Sequence, residues 1–221
     1  MPSEPPLVVF DFDGTLVHGD SITGFALEYL RARPLRLFCM LPLLPLALVA
    51  MLAGPTRSAG VSFFWWLLTW GTRARVVGEA LRRYARTTLG PRGNSATLAA
   101  LAAHVAQGHT VIVATAAPAC VVHELLRVRG LPPARVVGTR VARRFGGLVT
   151  RPHCIGETKV HELDRRFGLT RWSEVYSDSA LDLPIMRRAS AVTLVEPSER
   201  LRVRVARALG THVPVRVLRD A

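Results

Sequence analysis

Lysine is almost absent from this chain. Of its 29 basic side chains only Lys159 is a lysine, and every other is an arginine. A bias of that size reflects composition more than site-by-site need, but it makes the single lysine conspicuous. Cysteine is scarce as well. Cys39, Cys120 and Cys154 are odd in number, widely scattered and at no zinc spacing. They exclude a disulfide framework and point to a reducing compartment. Acidic side chains number 16, leaving a net charge of +13. That surplus suggests either a generally solvated basic surface or an anionic partner: a membrane surface, a phosphorylated substrate or nucleic acid. No arginine–aromatic stacking platform or nucleic-acid motif is present, so nucleic acid is not the expected partner. No internal repeat or low-complexity linker occurs, and no two of the seven histidines stand at metal-ligand spacing. His18 lies close enough after the first motif to touch a substrate, although a loop histidine is the simpler reading. An apolar content of 49% over 221 residues excludes a disordered chain and leaves room for one α/β domain with an insertion. The first strand begins near residue 7, so no signal peptide is expected ahead of it and the catalytic part should face the cytoplasm.

What is present is organised around Leu7-Val8-Val9-Phe10-Asp11-Phe12-Asp13-Gly14-Thr15-Leu16. The apolar run has the length and β-branching of a buried strand. Strand geometry would turn Asp11 and Asp13 the same way at its carboxyl end, where open α/β sheets bind ligands. Two carboxylates there repel unless a cation or a proton intervenes. The functional reading is a nucleophile, a proton-transfer group and Mg²⁺; the plain one is an acidic turn. Further strands are expected at Thr110 to Ala114, with Thr115 at its end, at Glu174 to Ser177, followed by Asp178 and Asp182, and at Ala191 to Val195. Ala116-Ala117-Pro118 should open a helix, whose start and the Thr115 hydroxyl suit either an anion or a simple cap. Arg135 to Thr150 reads as a strand and hairpin turning at Gly146-Gly147. Cys154 reads as a small packed residue rather than a nucleophile. Lys159, in a helix running to about Phe167, is a candidate phosphate ligand.

Between the first two motifs lies an oily insertion. After a helix at Ser21 to Arg33, residues Leu37 to Ala53 carry no charge and no polar side chain over 17 positions. A helix of that length reaches about 25 Å, marginal for a bilayer core of about 30 Å, and Pro42 and Pro45 would bend or break it. Beyond Gly54-Pro55, Trp65, Trp66 and Trp70 suit a membrane–water interface, and arginines at 31, 33, 36, 57, 73 and 75 flank the region. An arginine-rich helix over Thr72 to Thr88 closes it. A single crossing would split the motifs across the membrane. The segment must therefore dip in and return, lie in the interface, or form a buried cap.

The ordered set of strand-Asp-x-Asp-Gly-Thr, strand-Thr, lone Lys and strand-Asp-x-x-x-Asp resembles the haloacid dehalogenase superfamily of phosphohydrolases. Cys154-x-Gly156-x-x-Lys159 and Tyr176-Ser177-Asp178-Ser179-x-x-Asp182-x-Pro184 resemble its subclass containing phosphoserine phosphatase and phosphatidylglycerophosphatase C. The oily insertion and Ser177 lean to the lipid phosphatase; the polar cap residues that grip an amino acid have no evident counterpart. The resemblance implies a three-layer, Rossmann-like α/β fold with a parallel sheet. Its core is expected over 1–19 and 92–221, and a helical cap or membrane-associating segment over 20–91. It implies a Mg²⁺-dependent phosphomonoesterase, with Asp11 as nucleophile and Asp13 as acid and base. Asp11, the Asp13 carbonyl and Asp178 would bind the metal, and Thr115 and Lys159 the phosphoryl group. Asp182 would orient Lys159 or a metal-bound water. The expected substrate is an anionic phospholipid, phosphatidylglycerophosphate, at the cytoplasmic face of the inner membrane. A soluble metabolite phosphatase and a non-catalytic membrane-binding module are the rivals.

Overall fold

The computed structural model describes residues 5–52, 56–150, 153–168 and 170–220. Six parallel strands form one sheet: β1 (Leu7–Phe10), β2 (Thr110–Pro118), β3 (Arg135–Thr139), β6 (Trp172–Ser177), β7 (Ala189–Val195) and β8 (Val215–Leu218), in the order β3-β2-β1-β6-β7-β8. A parallel sheet covered on both faces needs apolar side chains on both, and the strands provide them. Val8, Phe10, Val111 and Val113 join one buried layer, whereas Leu7, Val9, Ile112 and Ala114 join the other. The first layer holds α6 (Ser95–Ala106) and α7 (Ala119–Val128); the second is covered by α8 (Glu157–Phe167), α9 (Leu183–Met186) and α10 (Glu199–Leu209).

β1 pairs with β2 on one side and β6 on the other. Chain order runs outward from β1 in both directions, so a crevice opens at its carboxyl end. That geometry, with helices on both faces, is the expected three-layer α/β fold.

The insertion leaves the core near Val17 and returns near Gly93. His18 N donates to the Arg92 carbonyl at 2.9 Å, and Asn94 N to the Leu16 carbonyl at 3.0 Å. Between these points lie α1 (Ser21–Arg31), α2 (Pro34–Met40), α3 (Leu44–Leu52), α4 (Arg57–Thr69) and α5 (Ala74–Tyr84), then a π-turn and a 3₁₀ turn to Arg92. The uncharged run is broken where its prolines suggest. α2 and α3 meet at 69°, with Pro42 in the break and Pro45 in the first turn of α3. Ala53 and Gly54-Pro55 fall outside the described residues. Among the described residues no single helix is long and apolar enough to cross a membrane; the bent α2–α3 pair passes by length and composition only. α3 and α4 approach closely: a Cβ on Gly60 would lie 2.6 Å from Met51 N.

Several details differ from the sequence expectation. β2 continues to Pro118, so α7 opens at Ala119 rather than at Ala116. Trp65 is 2% exposed and packs on Phe25, so it belongs to the cap core and not to an interface belt. The hairpin β4 (Val141–Arg144) and β5 (Gly147–Thr150) turns at Phe145-Gly146, with φ of 46° and 81°, instead of at Gly146-Gly147. Two positive φ values give the primed turn that matches strand twist. Gly147 is needed for another reason: a Cβ there would stand 2.6 Å from the Trp66 ring.

Candidate active site

Main-chain geometry brings the acidic groups together. β1 ends at Phe10, and Asp11 N donates to the Tyr176 carbonyl at 2.9 Å, which fixes Asp11 beside β6. Gly14 then turns with φ 75°. A Cβ there would lie 2.9 Å from Asp178 Oδ1 and overlap Oδ2, so glycine lets the two aspartate loops close on each other. Thr15 Oγ1 donates to Asp178 Oδ1 (3.2 Å) and accepts from Asp178 N (3.1 Å), locking that loop to the first motif. Burial raises the Asp178 carboxyl above its usual value, against lowering by its hydrogen bonds to its own main chain and Thr15.

The lone lysine stands in the first turn of α8, after Gly156. Its Nζ lies 2.6 Å from Asp11 Oδ1 and 2.7 Å from Asp182 Oδ1, and all three side chains are buried. Burial acts to lower Lys159, but the two carboxylates outweigh it and hold the ammonium charged. Asp182 is itself held by Ser177 Oγ, which donates to its Oδ2 at 2.7 Å and accepts from Ser179 N at 3.1 Å. A chain therefore runs from Ser177 through Asp182 and Lys159 to Asp11.

Asp13 is placed by α1. Asp20 caps that helix, accepting from Thr23 N at 2.6 Å, and Ser21 N donates to Asp13 Oδ1 at 2.8 Å. Burial pushes the Asp13 carboxyl up to about 6, although the Ser21 hydrogen bonds pull it down. An acid in that range is suited to exchanging a proton near neutrality.

Thr115 lies one residue beyond the position that continues the Phe10–Val113 register toward Asp11. It is fully buried, its Oγ1 accepts from Ala117 N at 2.9 Å, and Ala116 forms the cavity wall there. His18 turns away to Asp220, with Nε2 3.3 Å from the carboxylate. Cys154 is packed, and burial pushes its thiol up to about 12.

The carboxylates open into a cavity of about 780 Å³ reaching under the cap. Its lining combines Asp11, Asp13, Lys159, Asp178 and Asp182 from the sheet end with apolar residues of the insertion, Leu37, Leu44 and Leu48 among them. Arg57 and His153 also border it. Burial, and then the Arg57 charge, hold His153 below its ordinary value. Neither was singled out by a motif, because each is supplied by the fold of the insertion and hairpin. Thr15 and Ser177 stood inside the quoted motifs; only the structure shows what their hydroxyls hold.

Among the described residues no three His, Cys, Asp or Glu side chains form a metal cluster. The groups expected to hold a metal, the Asp11 and Asp178 carboxylates and the Asp13 carbonyl, would offer oxygen only. A Cβ on Gly14 would overlap the Asp178 carboxylate, so the first motif and the Asp178 loop pack directly against each other there. So small a set of hard oxygen donors would suit Mg²⁺, which is bound through few carboxylates rather than an all-protein cage.

Residues 8–187 match the haloacid dehalogenase-like hydrolase family, and the chain belongs to it. Protein CicA of Caulobacter vibrioides is 32% identical over 196 residues, covering 84% of each chain. A Bordetella pertussis Tohama I protein of unknown function has a similar solved structure: TM-score 0.74, 21% identity, covering 96% of this chain and 99% of that one. A substrate-bound phosphoserine phosphatase shares the fold at TM-score 0.59 and 14% identity, covering 96% of this chain and 93% of that one.

Proposed function

We propose that the protein is a Mg²⁺-dependent phosphomonoesterase acting on a lipid phosphate, phosphatidylglycerophosphate first among them, at the cytoplasmic face of the inner membrane. One observation carries the reading. The buried carboxylates and the apolar inner face of the cap line a single cavity. A substrate filling it has a phosphate at one end and hydrocarbon near the other. Arg57, which makes no ion pair among the described residues, is available for a second anionic group such as a phosphodiester.

Asp11 attacks phosphorus and takes the phosphoryl group as an acyl phosphate. Asp13 gives its proton to the leaving alkoxide, then removes one from the water that hydrolyses the intermediate. Lys159, positioned by Asp182 and Ser177, holds phosphoryl oxygens; Thr115, fully buried behind Ala116, does not line the cavity and acts by fixing that turn through Ala117 N. Mg²⁺, held by Asp11, Asp178 and the Asp13 carbonyl, would offset charge on the phosphoryl oxygens.

The fold likeness to phosphoserine phosphatase favours the second reading, a soluble phosphate ester. Phosphate release from phosphatidylglycerophosphate, phosphatidic acid and phosphoserine, with Asp11→Asn as blank, separates the two. The lipid reading expects both lipids to exceed phosphoserine; the reverse order would overturn it.

A further inference from the structure

Residues 29–78 and 125–156 contain thirteen arginines and not one aspartate or glutamate, in a chain with 16 acidic residues. The two segments are far apart in sequence, and the fold joins them. Trp66 Nε1 donates to the Phe145 carbonyl at 3.1 Å, and Gly71 N to the Gly146 carbonyl at 2.9 Å. The hairpin turn is thus pinned to the end of α4.

Pinning displays what a soluble surface avoids. Phe145 sits in a left-handed conformation that bulky side chains resist, and it is 88% exposed. Trp70 beside it is 56% exposed; on α2, Leu35 and Phe38 are 79% and 69% exposed. α2 and the tryptophans share an apolar groove of about 770 Å³ edged by Arg33 and Arg36. Arg36 Nη1 binds the Leu68 and Trp70 carbonyls at 3.0 and 2.7 Å, fixing this edge. All four residues of β4 are exposed, Arg143 and Arg144 among them.

We propose that the Phe145 turn, Trp70 and α2 together form a docking surface for an anionic lipid bilayer. The rings would enter the interface and the arginines meet headgroup phosphates. Charge selects this occupant: aromatic and apolar side chains edged by Arg33, Arg36, Arg143 and Arg144, with no carboxylate in either segment, complement a negative, apolar-edged interface. The surface adjoins the mouth of the reaction, since α2 lends Leu35 to the outer groove and Leu37 to the active-site cavity. The proposal deepens the lipid-substrate reading and rests on it for purpose.

The test is flotation of the full chain with phosphatidylcholine vesicles, with and without phosphatidylserine. Phosphatidylserine has no phosphomonoester and is not a substrate of the proposed reaction. Binding should require phosphatidylserine. Phe145→Asn, which keeps a residue tolerant of the left-handed turn, should weaken it about tenfold or more. Arg143→Glu with Arg144→Glu should weaken it about thirtyfold or more. Hydrolysis of soluble p-nitrophenyl phosphate should be unchanged in these variants, so that loss of docking is distinct from loss of the phosphatase reading. Equal binding to both vesicles, binding to neither, or no effect of Phe145→Asn would overturn the proposal. So would a dimer in sedimentation velocity that Phe145→Asn dissolves, because a second copy would then cover the surface.

Discussion

Replacing Gly14 with alanine perturbs the site at one atom. The new Cβ would lie 2.9 Å from Asp178 Oδ1 and overlap Oδ2. Ordinary carbon contacts begin near 3.5 Å, so Asp178 must retreat by about 1 Å. It cannot do so freely, because Thr15 holds both its carboxylate and its main-chain N. The φ of 75° adds a backbone cost of about 1–2 kcal/mol for any L side chain. At this chain length that predicts a Tm about 2–8 °C lower. The catalytic loss should be far larger than this modest destabilisation. A carboxylate misplaced by about 1 Å in a positioned site costs on the order of 100-fold in kcat. The Mg²⁺ concentration for half-maximal activity should also rise, since Asp178 is a proposed ligand. The assay is p-nitrophenyl phosphate hydrolysis against a Mg²⁺ titration, beside a thermal melt. Gly14→Ala with kcat within threefold of the parent and an unchanged Mg²⁺ requirement would refute the argument.

Three further outcomes follow from particular contacts. Lys159→Met leaves the Asp11 and Asp182 carboxylates buried without their cation, and should cost about 3–5 kcal/mol; a Tm change below about 1 °C would contradict it. Thr69→Val removes the acceptor that takes Leu148 N at 2.8 Å, one of several bonds between the hairpin and α4, and leaves that buried N–H unpaired; a loss of about 1–3 kcal/mol in urea unfolding is expected. Asp220 accepts from Ser95 Oγ and the Ala96 and Ser95 N–H groups, and these bonds, Ser95 first, hold its carboxyl down at about 2. Because the folded value is depressed, its stabilisation is complete above the unfolded value of about 3.9 and fades as pH falls toward 2. The gap in urea midpoint between the parent and Asp220→Ala should therefore narrow from pH 5 to pH 2; a gap constant over that range would contradict this.

The sheet and its motifs were legible because a buried parallel strand leaves a compact signature. Leu7–Phe10 is apolar on both faces, and an aspartate after such a strand is costly without a task. The break between α2 and α3 was legible for a similarly local reason, since proline cannot continue a helix. What escaped depends on distant partners. β8 is four residues, Val215–Leu218, with an arginine within it, and only pairing with β7 makes it a strand. The turn falls on Phe145 because Gly147 is required against Trp66, a contact about eighty residues away in sequence. Trp65 and Trp70 look alike in the sequence, yet packing on Phe25 buries one and leaves the other outside. His104 and His109 meet at 2.8 Å through Nδ1 because the α6–β2 turn folds them together, a pairing their spacing does not announce. The hydroxyls of Thr15 and Ser177 were readable as motif members, but their hydrogen bonds to Asp178 and Asp182 were not.

The central claim is that one cavity binds a phosphate and a hydrocarbon chain together, and a ladder of soluble alkyl phosphates tests it most directly. Butyl, hexyl and octyl phosphate share one reacting group and differ only in methylenes. If the chain enters the space lined by Leu37, Leu44 and Leu48, kcat/KM should climb with length. Each fully buried methylene, worth about 0.8 kcal/mol, sets an upper limit of about fourfold. Asp11→Asn should be inactive on every member. A kcat/KM that stays flat from butyl to octyl phosphate, or falls, would contradict the claim and leave the apolar lining as cap core alone.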